Sequence, residues 1–130
     1  MPNYIDGFVL PIPREHLETY RRVVEQVTEI WKEHGALDYQ EFVSDGSELG
    51  GTRPFTDAIQ ANENEVVIFG WVTFASSAAR DLVNDKVAND PRMTDIVAPL
   101  TNGPDPIFNA QRMVYGGFSP LTSAHPSTTD

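Results

Sequence analysis

Three side chains carry the chemistry this sequence could offer: His34, Glu41 and Arg112. Histidine titrates near neutral pH, so His34, in line with an apolar helical stripe, could act as a general base. The alternative is a helix-terminal histidine that binds the last free carbonyls and complements the helix dipole. Glu41 shares a strand face with Leu37, Tyr39 and Val43. A carboxylate among apolar neighbours is costly unless paired, and Arg112 or Arg80 would be its partner. Arg112 could orient an anionic substrate, whereas its pairing with Glu41 could be structural. Asp6, Tyr39, Trp71 and Arg80 complete the candidate ligand-binding set. Asp6 interrupts an apolar strand. Trp71 follows Gly70, whose missing side chain would leave space beside a pocket; the competing reading is an aromatic that fills a core.

Several other chemistries are excluded. The chain has no cysteine, so disulfides and thiolate nucleophiles are out. The three histidines, His16, His34 and His125, show no metal-ligand spacing. There is no phosphate-binding glycine loop and no nucleophile elbow. No metal and no cofactor is expected. Nine basic and 19 acidic side chains give a net charge of −10. A field of that sign repels phosphate backbones and anionic lipid surfaces, so neither nucleic acid nor membrane is an expected partner. No apolar run is long enough to span a bilayer. The first residues lack a basic n-region and enter a strand pattern at once, which predicts a cytoplasmic protein.

The elements that must position these residues follow from periodicity. Residues 3–10 read as a strand ended by Pro11 and Pro13. Leu17, Tyr20, Val24, Val27, Trp31 and His34 recur at alternating spacings of three and four, which predicts an amphipathic helix over about residues 14–34, capped by Gly35. Residues 36–45 alternate as a second strand. Residues 46–62 hold no periodicity and read as a loop that could close over a cleft. Residues 65–75 form the strongest strand, apolar on both faces. Ser76 or Ser77 caps a second helix, interrupted at Asp90-Pro91. Residues 92–98 could form one more helical segment, stopped by Pro99. Residues 111–118 are the last strand, and 120–130 read as a disordered tail after a single domain of residues 1–119.

The order β-α-β-β-α-β is the split βαβ, ferredoxin-like arrangement: α+β, with two helices on one face of a four-stranded antiparallel sheet. The strand at 65–75 needs cover on its other face too, and nothing else in the chain supplies it. A second copy is the expected lid, which predicts a homodimer.

The residues Tyr4-Ile5-Asp6-Gly7-Phe8-Val9-Leu10-Pro11, the stretch from Trp31 to Leu37, the Asp90-Pro91-Arg92 turn and the segment from Arg112 to Phe118 resemble the YbaA-like family of small bacterial proteins. The resemblance spans residues 3 to about 119. It implies the dimeric α+β barrel fold, a superfamily that includes monooxygenases, haem-degrading enzymes and muconolactone isomerases. Such barrels usually hold a ligand between sheet and helices. Three readings follow: a homodimeric, stress-associated module that binds a small molecule in that cleft; a cofactor-independent enzyme with His34 as base and Arg112 orienting the substrate; or a structural dimer without ligand.

Overall fold

The computed structural model describes residues 3–122, so most of the expected disordered tail lies outside the described residues. Strand β1 (Tyr4–Pro13) leads through a short 3-10 turn into helix α1 (Leu17–Glu33) and strand β2 (Asp38–Val43). A short helix α2 (Phe55–Ala58) precedes strand β3 (Glu65–Phe74). Helices α3 (Ser77–Ala88) and α4 (Arg92–Thr101) follow, then a second 3-10 turn and strand β4 (Val114–Phe118). The strands form one antiparallel sheet in the order β2-β3-β1-β4, the order of the ferredoxin-like fold.

Strand alternation sends Leu10 and Ile12 of β1, and Val66, Ile68, Val72 and Phe74 of β3, to the helical side. They pack there against Tyr20, Val23 and Val27 of α1, Val83 and Val87 of α3, and Leu100 of α4. Phe74 and Ile12 are fully buried. The end of α1 is fixed by Gly35 at φ 121°, a conformation that only glycine adopts freely. Its amide bonds the Lys32 carbonyl, and the Ala36 amide bonds that of Trp31, the paired closure of a Schellman motif. Ser76 caps α3 through its hydroxyl, which accepts from the Ala79 amide at 3.0 Å.

Four boundaries differ from the sequence reading. β1 continues through both prolines, because β4 pairs only with Ile5 to Val9. Pro11 and Pro13 lie past its end, where no strand asks for their missing amides. Pro99 lies inside α4 instead of ending it. It sits late in the helix, and the Asn102 amide still reaches the Ala98 carbonyl at 3.0 Å. Residues Ala110–Arg112 form a turn, so β4 starts at Val114. The 46–62 loop contains α2, and its Phe55 packs on Phe69 at 5.7 Å between ring centroids. That contact lies on the face of the sheet turned away from α1, so the loop does not cover the helix–sheet cleft.

The face away from the helices is the second consequence of the alternation. Phe42 stacks on Trp71 at 5.2 Å, and Trp71 meets Phe69 edge-on at 5.9 Å. Phe42, Phe69, Val114 and Phe118 remain about half exposed. No helix among the described residues is long and apolar enough to cross a membrane.

Candidate functional site

A cavity of about 210 Å³ opens between the sheet and α1. The strand register explains why polar groups meet there. Asp6, Phe8 and Leu10 of β1 point to the helical side, with Phe8 opposite Tyr115 of β4. Tyr39 and Glu41 of β2 point the same way, and Tyr39 is paired with Val72 of β3. Tyr20 and Trp31 of α1 form the roof, and Phe108 and Met113 close one end. Trp31 and Phe8 lie 6.1 and 6.3 Å from the Tyr39 ring, so the cavity wall is an aromatic cluster.

Glu41 is held by two tyrosines. The Tyr39 hydroxyl donates to Oε2 at 2.9 Å, and the Tyr20 hydroxyl donates to Oε1. Burial raises the Glu41 pKa, against the two hydrogen bonds that lower it. Burial and the nearby carboxylate likewise push both tyrosines up, so they stay protonated donors at physiological pH. The raised carboxyl makes a prediction. A carboxyl whose folded pKa lies above its unfolded value contributes stability that is present below the unfolded pKa and lost as pH rises through the folded one. Glu41→Gln removes that loss and can still accept from a tyrosine. Urea titrations from pH 4.5 to 8 should therefore show the stability difference moving in favour of Glu41→Gln as pH rises. A difference independent of pH would refute the assignment.

Asp6 lies at the other end of the cavity, with its side chain 5% exposed. It accepts from Arg80 at 2.7 Å. The same guanidinium donates to the Tyr115 hydroxyl at 3.1 Å and lies 5.0 Å above the Tyr4 ring. Hydrogen bonding to Asp81 and the charge of Asp6 raise the Arg80 pKa, so it is a permanent cation.

The other candidates go elsewhere. The expected convergence of His34, Glu41 and Arg112 does not occur. Glu41 faces α1, whereas Arg112 sits in the turn before β4 and pairs with Glu65 at 2.6 and 2.9 Å. Arg112 also donates to the Gln60 carbonyl at 3.0 Å, which ties the end of the long loop to β3. His34 Nε2 lies 2.7 Å from Asp90 Oδ2, and His34 lines neither of the two cavities. Asp90 also accepts from the Arg92 amide at 2.9 Å and from its guanidinium at 2.7 Å. Arg92 reaches Glu33 as well. These contacts hold the Asp90 pKa well below its ordinary value, with Arg92 the larger cause and His34 the second. Glu33, His34 and Asp90 bring metal-type ligand atoms within 4.8 Å of one another, but Arg92 already satisfies both carboxylates. The cluster ties the end of α1 to the turn between α3 and α4. Trp71 lies on the opposite face of the sheet, and the space above Gly70 is filled by Phe8. Asp6, Tyr39 and Glu41 are therefore the sequence candidates that share the cavity, with Arg80 bonded to its Asp6 end. Tyr20, Trp31 and Tyr115 also line the cavity, which the sequence alone does not show. Tyr20 and Trp31 read as stripe residues of α1, and only their shared direction toward Glu41 and Tyr39 marks them.

Residues 3–102 match the family described as "Protein of unknown function (DUF1428)". The chain belongs to the DUF1428 family. It is 35% identical over 118 residues to the uncharacterised protein YbaA of Escherichia coli K12, covering 91% of this chain and 96% of that one. The YbaA of Shigella flexneri matches to the same extent. Among solved structures, a NIPSNAP family protein of unknown function from Agrobacterium tumefaciens superposes with a TM-score of 0.60 at 19% identity, over 95% of this chain and 92% of that one. A protein from an uncultured marine organism, described as dimeric and ferredoxin-like, superposes with a TM-score of 0.55 at 8% identity, over 95% and 99% of the two chains. At those identities the likeness speaks for the fold. This DUF1428 protein thus shares the α+β ferredoxin-like architecture expected of it.

Proposed function

We propose that this protein binds a small, largely apolar or aromatic molecule carrying a polar group, in the cavity between sheet and α1, as a homodimer. The observation that carries the reading is the cavity itself. Its wall is aromatic, and two carboxylates and three tyrosine hydroxyls converge on it from four separate elements. Ligand sites combine mostly apolar walls with a few placed polar groups in this way. At about 210 Å³ it is smaller than the roughly 300 Å³ at which drug-sized sites begin. It exceeds the roughly 150 Å³ of a cavity that takes benzene. A molecule of one ring and a short substituent fits.

The binding claim is tested by a fragment set observed by amide and methyl NMR. Compact aromatic fragments should shift resonances of Val72 and Met113 and raise the thermal midpoint, because a ligand bound only to the folded state stabilises it. Fragments that perturb no cavity residue would sink the reading.

Dimerisation is supported by the exposed aromatic face of the sheet and by the dimeric relative in fold. Face-to-face packing of two sheets would bury Phe42, Phe69 and Trp71. Replacing Phe69 by Asp should convert a dimer to a monomer at micromolar concentration, read by sedimentation velocity. A wild-type monomer under the same conditions would refute the dimer.

A further inference from the structure

Acidic groups turned into the body of this chain follow a rule with one exception. Asp6, Glu65 and Asp90 are buried, and each is bonded by an arginine: Arg80, Arg112 and Arg92. Glu41 points inward as they do, yet no basic side chain comes within ion-pair distance of it among the described residues. Its contacts are the hydroxyls of Tyr20 and Tyr39. A half-buried carboxylate without a cation is less favourably placed than one bonded by an arginine.

What surrounds Glu41 suits a cation from outside the chain. The rings of Phe8, Tyr20, Trp31, Tyr39, Phe108 and Tyr115 line the same cavity. Aromatic faces carry negative charge and attract ammonium groups that have shed water. Arg80, at the far end of the cavity, is engaged by Asp6 and Asp81.

The approach is acidic too. A groove of about 760 Å³ runs between α1 and β2 and shares Tyr20 and Glu41 with the inner cavity. Glu15, Glu18, Glu25 and Glu29 line it, against Arg14 and Arg21. Arg21 is already paired with Glu18 and Glu25. The Glu41–Tyr20 contact therefore stands between an acidic vestibule and an aromatic chamber. A cation is drawn to the mouth of such a path and an anion is turned away.

We infer that the ligand of this cavity is a small organic cation, an ammonium on a compact apolar or aromatic body, and that Glu41 is its counter-ion. The inference rests on the cavity being a ligand site and adds the charge of what it takes. The ammonium sits at the Glu41 carboxylate, donating to its free lone pairs beside the tyrosine hydroxyls, and leaves its body among the rings. The strand pair β2–β3 holds Glu41 in place, and Tyr39 and Tyr20 orient its two oxygens.

Three probes of one shape separate the outcomes: benzylammonium, benzyl alcohol and benzoate, titrated at pH 7.5 by NMR and calorimetry. Benzylammonium should bind at least about tenfold more tightly than benzyl alcohol, with benzoate weakest. In Glu41→Gln the preference for the cation should vanish while benzyl alcohol still binds, which also shows that the variant is folded. Nuclear Overhauser contacts from the benzylic protons to the rings of Tyr20 and Tyr39 should place the ammonium in the wild type without any variant. Equal binding of alcohol and cation overturns the charge assignment and leaves the cavity reading standing. A cation preference that survives in Glu41→Gln overturns Glu41 as counter-ion. Binding of none of the three overturns both the inference and the reading beneath it.

Discussion

Gly70→Ala should lower stability by about 3 kcal/mol, the upper end of what overpacking a core usually costs. A Cβ at this position would stand 2.5 Å from Cζ of Phe8 and 2.8 Å from the backbone oxygen of Gln40. The first neighbour is a ring wedged beside Tyr39 in the cavity wall. The second is a main-chain atom of the adjacent strand, and it moves only if β2 moves. Neither offers the flexible end of a long side chain, so relaxation has to be shared across the sheet. For a chain of this length the thermal midpoint should fall by roughly ten degrees. The diagnosis is specific enough to rescue. Phe8→Leu alone creates a void and should be destabilising. Placed together, the two changes should cost less than their sum by about 1 kcal/mol or more, as contacting residues do. An additive double-mutant cycle in urea would show that the ring does not occupy the space above Gly70.

Arg80→Met should be the more damaging change, at about 3–5 kcal/mol, because it leaves the buried Asp6 charge without compensation. Arg80 has two carboxylate partners, and they are not equivalent. Asp81 is 71% exposed and its pairing is worth little. Asp6 is 5% exposed and has no other basic partner among the described residues. The lost stability should therefore return largely in the double variant Asp6→Asn with Arg80→Met, where nothing charged remains to be buried, and hardly at all with Asp81→Asn. If the Asp81→Asn background rescued as well as Asp6→Asn, the pair with Asp6 would not be what Arg80 is held for. The same comparison bears on the cavity. Tyr115 shares Arg80 with Asp6, so the end of the cavity away from Glu41 should loosen in Arg80→Met and recover in the double variant.

The elements were legible in the sequence, and the polar pairs were not. Alternation marks β2, an unbroken apolar run marks β3, and the 3.6 period marks α1, because half-buried and wholly buried stretches leave those patterns. The Ser76-Ser77 pair and Gly35 mark helix ends through local chemistry that needs no distant partner. The prolines of β1 read as its end because the sequence does not show which side of the strand they face. Pairing sets that side, and pairing depends on β4, more than a hundred residues later. The same blindness misassigned Arg112. Arg112 and Glu65 are 47 positions apart, and Arg80 and Asp6 are 74 apart. Their meeting depends on register and on how α3 returns across the sheet. Glu41 was recognised as a carboxylate on an apolar face. Its bonds to Tyr20 and Tyr39 are not legible there: Tyr20 reads as a stripe residue of α1, and Tyr39 reads as a ligand-binding candidate, not as a donor to Glu41. His34 was placed correctly at the end of α1, but Asp90, which holds it, read as part of a turn.

The prolines of β1 have a consequence for how this sheet can meet others. Beyond Val9 the strand has lost its β4 neighbour, and the next residues would be an open template for a foreign strand. At Pro11 and Pro13, on the side β4 has vacated, there is no amide hydrogen to offer. A chain of strands growing outward from this stretch, as in an amyloid ribbon, would find no donor to start from. Edge-on pairing is thereby discouraged along this stretch, while the flat face of the sheet that carries Phe42, Phe69 and Trp71 stays open to contact. Aggregation is discouraged at the place where the sheet is least finished.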